Sequence, residues 1–208
     1  MARIATAIRT TALEGRAASH PWVSVTPAEP ASRCALRAPE ASVAALSKAL
    51  GLALPTKPKT SAKKGARAAL WLGPDEWLLI DRDGSDPTAA ISKVKPLHSA
   101  VDVSHRNVGI VVSGTGAEAT LAAGCPQDIS LGSFPVGACS RTILGKIEIV
   151  LWRTAGNEFR GECWRSFSDY AFTLLAEAAK DAAAEWWKRH RAALEGLAGF
   201  AVSVAPAE

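Results

Sequence analysis

Little in this sequence supports chemistry built on metals or disulfides. The four cysteines, Cys34, Cys125, Cys139 and Cys163, include no C-x-x-C pair, the spacing that a zinc or dithiol site needs. Their neighbours are apolar, so buried reduced thiols are expected, and with them a cytoplasmic setting. His20, His98, His105 and His190 are scattered without ligand spacing, so no metal site is expected. There is no apolar run of about 18 residues, the length of a membrane-crossing helix. The basic start "MARIATAIRTTALEGRAASH" lacks the continuous apolar stretch of a secretory signal. Its Arg and Thr resemble a transit peptide in composition, but Glu14 and the short apolar stretches favour a frayed or docking arm.

Tyrosine and methionine occur once each among 208 residues, whereas tryptophan occurs seven times. Residues 1 to 70 hold eleven Lys or Arg against three acids, and the remainder thirteen against seventeen. The chain is therefore basic at its start and mildly acidic after it. Such a third suits contact with something acidic, or a solvated arm and loop.

The length fits one globular domain with extensions. Residues 1–33 read as a basic arm with one short strand near Trp22 to Val25. Residues 34–179 read as the domain, and 180–208 as a helical tail. Within the domain, Val43, Leu46 and Leu50 share a helical stripe that Gly51 ends. "PTKPKTSAKKGAR" reads as a basic loop. "ALWLGPDEWLLIDRDG" reads as two strands about a Gly73-Pro74-Asp75 turn. A short helix is expected within 86–95, and strands near 98–104 and 107–113. Thr115-x-x-Glu118 has the form of a capping box, opening a helix that stops at Gly124. Ile147, Ile149 and Leu151 alternate with Lys146, Glu148 and Trp152, as in a strand with one buried face. The loop from Thr154 to Asn157 closes a hairpin onto "NEFRGECWR". Ser166, with Asp169 three residues on, is expected to cap a last helix that breaks near Lys180 and Asp181. The expected fold class is α+β, mostly antiparallel sheet with flanking helices.

"VDVSHRNVGIVVSG" gathers Asp102, Ser104 and His105, the residue types of a nucleophilic triad. On a strand, however, Asp102 and Ser104 face one way and His105 the other. Triad members normally come from separate elements. Bonds from Asp102 and Ser104 to nearby backbone are the better reading. Ser113-Gly114-Thr115-Gly116 precedes a helix and could hold an anion on free amides, or simply enter the helix. It lacks the full glycine pattern and the lysine of a phosphate loop. The tryptophans are the remaining signal, since Trp is enriched at interaction hot spots. Trp71, Trp77, Trp152 and Trp164 are candidate interface residues, with Arg141 and Arg165 as charged contacts. Trp186 and Trp187 are about 100° apart on a helix, so one packed surface cannot easily bury both. Core filling is the competing reading for each.

Four blocks in order, "LWLGPDEWLLI", "VDVSHRNVGIVVSG", "AAGCPQDISLGSFPVGACSRTILGKIEIVLWR" and "ECWRSFSDYAFTLLAEAA", resemble the gamma subunit of heterotetrameric sarcosine oxidase. The resemblance runs from about Cys34 to Ala179. It implies alpha, beta and delta partner chains, and oxidative demethylation of sarcosine to glycine with hydrogen peroxide. It further implies transfer of the one-carbon unit to tetrahydrofolate. FAD, FMN, NAD and tetrahydrofolate would belong to the alpha and beta chains, and zinc to delta, with no cofactor in this one. The gamma chain is similar in fold to the folate-binding domain of glycine-cleavage aminomethyltransferases. There a D-x-S stretch, a strand and a helix start recur, and Asp102, Ser104 and the Ser113 to Glu118 entry match that layout. Those enzymes carry a catalytic Asp on a hairpin after a Gly pair. Here the stretch reads Gly145-Lys146-Ile147-Glu148, with neither.

These readings imply a non-catalytic subunit without catalytic, cofactor or metal residues of its own. Two alternatives stand beside it. One is a stand-alone folate-binding protein or one-carbon transferase. The other is nucleic-acid binding through the basic first third, which has charge but no recognition module. Neither a nucleic-acid nor a membrane partner is expected.

Overall fold

The computed structural model describes residues 11–184. Eleven strands build two antiparallel sheets: β1 (Ala18–His20), β2 (Val23–Pro27), β3 (Ser32–Arg37), β4 (Ser61–Lys64), β5 (Arg67–Gly73), β6 (Glu76–Asp81), β7 (Ser99–Asp102), β8 (Asn107–Ser113), β9 (Cys139–Leu144), β10 (Ile147–Ala155) and β11 (Glu158–Trp164). The six-stranded sheet runs β1-β2-β8-β11-β10-β9 and the five-stranded sheet β4-β5-β6-β3-β7. The helices are α1 (Glu40–Leu50), α2 (Pro87–Ile91), α3 (Ala117–Ala122) and α4 (168–184), the last entered through a 3-10 turn at Arg165–Phe167. The α+β expectation holds. No described helix is long and apolar enough to cross a membrane.

The period of two along each strand decides the layering. In β10, Ile147, Ile149 and Leu151 point to a core shared with α3 and α4, where Leu121, Phe172 and Leu175 meet them. Val150 and Trp152 point the other way, onto Leu70, Leu78 and Ile80 of the second sheet. That sheet's far face carries Leu36, Trp77 and Leu79 against Leu46 and Leu50 of α1 and Ile91 of α2. The order is helix, sheet, sheet, helix, with three apolar interlayers. Gly51 ends α1 in the left-handed region at φ 65°, and its amide and that of Leu52 bond the last carbonyls of the helix.

Several expectations change. The arm is not separate: Val23 and Val25 are buried in the first core, β2 pairs with β8, and β3 is an interior strand, so position 33 falls inside a strand. The basic loop is a hairpin. β4 pairs with β5, and Gly65 at φ 60° makes the turn that exposes Lys63 and Lys64 on an edge. Exposed lysines there discourage further strand pairing. Ser166 makes no cap. The residue before the 3-10 turn, Trp164, offers no side-chain bond, and Ser168 Oγ donates to the Arg165 carbonyl. The helix then runs through Lys180 and Asp181 unbroken, because Ala179 is buried in the first core and no Gly or Pro interrupts. The boundary at 179 therefore lies within a helix.

All four cysteines are free and buried. Burial pushes the Cys34 thiol up to about 11 and those of Cys139 and Cys163 to about 12. Thiolate, the reactive form, is therefore scarce at neutral pH. A thiol-reactive dye at pH 8 is expected to leave the native chain unlabelled over minutes and to titrate all four cysteines in denaturant. Fast native labelling of any of them would contradict this.

Candidate functional site

The triad-like residues form a structural corner. β7 and β8 belong to different sheets, so residues 103–106 carry the chain from one to the other. The Ser104 amide donates to Asp102 Oδ1 at 2.8 Å, and the amides of Arg106 and Asn107 donate to the Val103 carbonyl. Ser104 Oγ accepts the Arg33 amide at 2.8 Å, extending the β3–β7 ladder by one side-chain rung. Hydrogen bonding from Ser104, and then the nearby His105, holds the Asp102 carboxyl below its ordinary range. His105 is exposed. Asp102 and Ser104 serve backbone groups, the structural alternative weighed for them.

The helix entry is equally occupied. Gly114 donates to the Asn157 carbonyl, Gly116 to that of Trp22, and Ala117 to that of Gly114, so these three amides hold no anion. The capping box is absent: Gly116 is the N-cap, without a side-chain bond, and Thr115 is exposed. Glu118 instead reaches Arg153 Nη2 at 2.9 Å. The Arg153 guanidinium is almost wholly buried, over the Phe159 ring and bonded to the Gly156 and Ile129 carbonyls. A buried cation claims a carboxylate more strongly than a helix amide does. Gly114 has φ 108°, and a Cβ there would run into the Trp22 carbonyl. Gly114→Ala is expected to cost about 1–3 kcal/mol, read as a lower denaturation midpoint.

Charge is concentrated between the sheets. Arg33 of β3 donates through Nε to Glu162 Oε2 at 2.6 Å, and Arg160 Nε donates to Glu162 Oε1 at 2.8 Å. All three side chains are at most 6% exposed. Arg141 of β9 bonds Glu76 of β6 and lies 3.5 Å from Glu148; Glu76 raises its pKa, holding the cation. Arg141 therefore ties the two sheets of its own chain. None of these pairings was visible in the sequence, although Arg160 and Glu162, two apart on one strand, had to share a face.

The tryptophans divide. Trp77 is 1% and Trp152 6% exposed, so neither belongs to a surface. Trp77 donates its indole N–H to the Pro55 carbonyl at 2.7 Å, and Trp152 fills the space between the sheets. Trp71 is half-buried against the α1 side. Trp164 alone of these four is open, at 43%. Its ring stacks on Phe167, with centroids 6.0 Å apart and planes 21° from parallel. The Arg106 guanidinium lies 4.3 Å over its ring. Phe167 is 41% exposed, and Arg165 is exposed beside it. Trp186 and Trp187 lie outside the described residues. Phe167 and Arg106 were not anticipated: the turn at 165–167 reads from sequence as the start of a helix.

Against known proteins, residues 35–185 match the sarcosine oxidase, gamma subunit family. The chain belongs to that family. The sarcosine oxidase subunit gamma of Corynebacterium sp. (strain P-1) is 31% identical over 68% of this chain and 71% of its own length. That of an Arthrobacter species is 34% identical over 53% of this chain, which spans little more than half, 56%, of that relative. Among solved structures, a chain of heterotetrameric sarcosine oxidase from Corynebacterium sp. U-96, in complex with pyrrole 2-carboxylate, superposes with a TM-score of 0.73 at 27% identity. It covers 83% of this chain and 91% of its own. Aminomethyltransferase T of the glycine cleavage system of Bartonella henselae shares the fold, with a TM-score of 0.56 at 13% identity over 74% of this chain and 45% of its own. For this gamma-family chain, the resemblance carried by the four sequence blocks and the related fold are both found.

Proposed function

We propose that this gamma-family chain is a non-catalytic structural subunit of a heterotetrameric sarcosine oxidase. The complex oxidatively demethylates sarcosine to glycine with hydrogen peroxide, and passes the one-carbon unit to tetrahydrofolate. FAD, FMN, NAD and tetrahydrofolate sit in its alpha and beta chains, and zinc in delta; the assembly is cytoplasmic. The carrying observation is the family match across 35–185 on a chain that spends its polar groups internally. Asp102 and Ser104 hold a corner, Arg141 and Glu76 join two sheets, and Glu118 neutralises Arg153. Glu148, in the stretch that lacks the Gly pair and catalytic Asp of the folate enzymes, is exposed and lies 3.5 Å from Arg141. No step of the oxidation is therefore assigned to a residue of this chain.

The part it plays is to present a surface. The open Trp164–Phe167 stack, with Arg106 across it and Arg165 beside it, is the aromatic and arginine composition of an interface hot spot. The test is co-expression with candidate partner chains, followed by affinity capture and flavin absorbance. The captured complex is expected to be yellow and to oxidise sarcosine, and the chain purified alone to be colourless. Flavin absorbance or oxidase turnover in the lone chain would overturn the reading.

A further inference from the structure

A cavity of about 710 Å³ opens beside the corner, within the range of about 300–1,000 Å³ typical of small-molecule sites. Its wall is formed by residues 11–16, the 27–31 connection, and Arg33, Ser104, Asn107, Gly109 and Arg165. Much of that wall is apolar, including Leu13, Pro27, Ala28 and Val108. Behind Gly109 lies the buried cluster: a Cβ on that glycine would come within 2.8 Å of both Arg160 Nη2 and Glu162 Oε1. Two arginines and one glutamate leave the cluster one positive charge in excess, and burial makes an uncompensated charge costly.

In the cluster behind the wall, the buried Arg160 Nη2 has no hydrogen-bond partner among the described residues: it approaches Glu162 at 2.7 Å without a hydrogen-bonding angle. Arg33 lines the wall, its Nε and Nη2 on Glu162 and its Nη1 on the Ala31 carbonyl. The acids of the wall, Glu14 and Glu29, are solvent-exposed, so their charge is screened while that of the cluster is not.

We propose that this cavity binds a small organic monocarboxylate, its charge beside Arg33 and the buried cluster and its apolar body against the Leu13, Pro27 and Val108 wall. A monoanion brings cluster and ligand to neutrality, whereas a doubly charged phosphate would overshoot. Binding requires no turnover, so the site stands independently of the structural-subunit reading.

The full chain is titrated with benzoate, benzamide, benzylamine and inorganic phosphate, and amide hydrogen exchange is followed by mass spectrometry. Benzoate is expected to saturate one site, with benzamide, benzylamine and phosphate each at least about tenfold weaker, since they lack the single negative charge on a planar group. Protection is expected at 27–31 and 104–109. Arg165→Met, an exposed wall position, is expected to weaken benzoate several-fold without altering the exchange of the sheets. Equal binding of benzoate and benzamide, no saturable binding of benzoate, or protection confined to other segments would overturn the proposal.

Discussion

Glu162→Ala is expected to destabilise the chain by about 3–5 kcal/mol, the usual consequence of removing one partner from a buried ion pair. Among the described residues Glu162 is the acid that pairs with both Arg33 and Arg160, and both side chains are at most 6% exposed. Without it, two like charges, both buried to that degree, face each other between the sheets. Replacing all three residues by apolar side chains of similar volume is expected to cost far less, because no charge is then stranded. Urea unfolding followed by tryptophan fluorescence measures both. A Glu162→Ala midpoint equal to that of the parent would mean that the cluster is more hydrated than its burial implies.

Loss of assembly is expected from Trp164→Ser combined with Phe167→Ser. A desolvated aromatic anchor at an interface typically contributes 2 kcal/mol or more, so partner affinity should fall by at least about 30-fold. The chain itself should stay folded, since both rings are roughly two-fifths exposed and contribute little to the interior. Trp77→Ser is the informative contrast: this ring is 1% exposed, and its loss should lower stability by about 3–5 kcal/mol. The checking measurement is co-purification of partner chains alongside circular dichroism. Full recovery of the complex with the doubly substituted chain would move the interface elsewhere.

These two experiments separate residues that the sequence could not tell apart. Trp77 and Trp164 both end or begin strand-like runs, and both were candidates for one surface. Which side of a strand faces a core depends on what lies above that sheet. A two-sided sheet buries both faces of its central strands, so alternation ceases to mark an outside. That is why Trp152, opposite Ile149 and Leu151, is interior rather than exposed. The same two-sidedness drew residues 18–27 into a sheet, although their prolines and basic surroundings suggested an arm.

Local order was legible from residues alone. The α1 stripe and its Gly51 stop, the 67–81 strand pair about Gly73-Pro74-Asp75, the hairpin at 154–157 and the reduced buried cysteines follow from short-range sterics and periodicity, which act within a few residues. The family was legible too, in four blocks kept in order. Long-range partnership needed the tertiary structure. It alone divided 101–113 between two sheets, turned Glu118 from a cap into the counter-ion of Arg153, and brought Arg33 to Glu162 across 129 positions. Such contacts are decided by how layers stack and which charges that stacking buries, and a sequence carries no local mark of a partner so far along the chain.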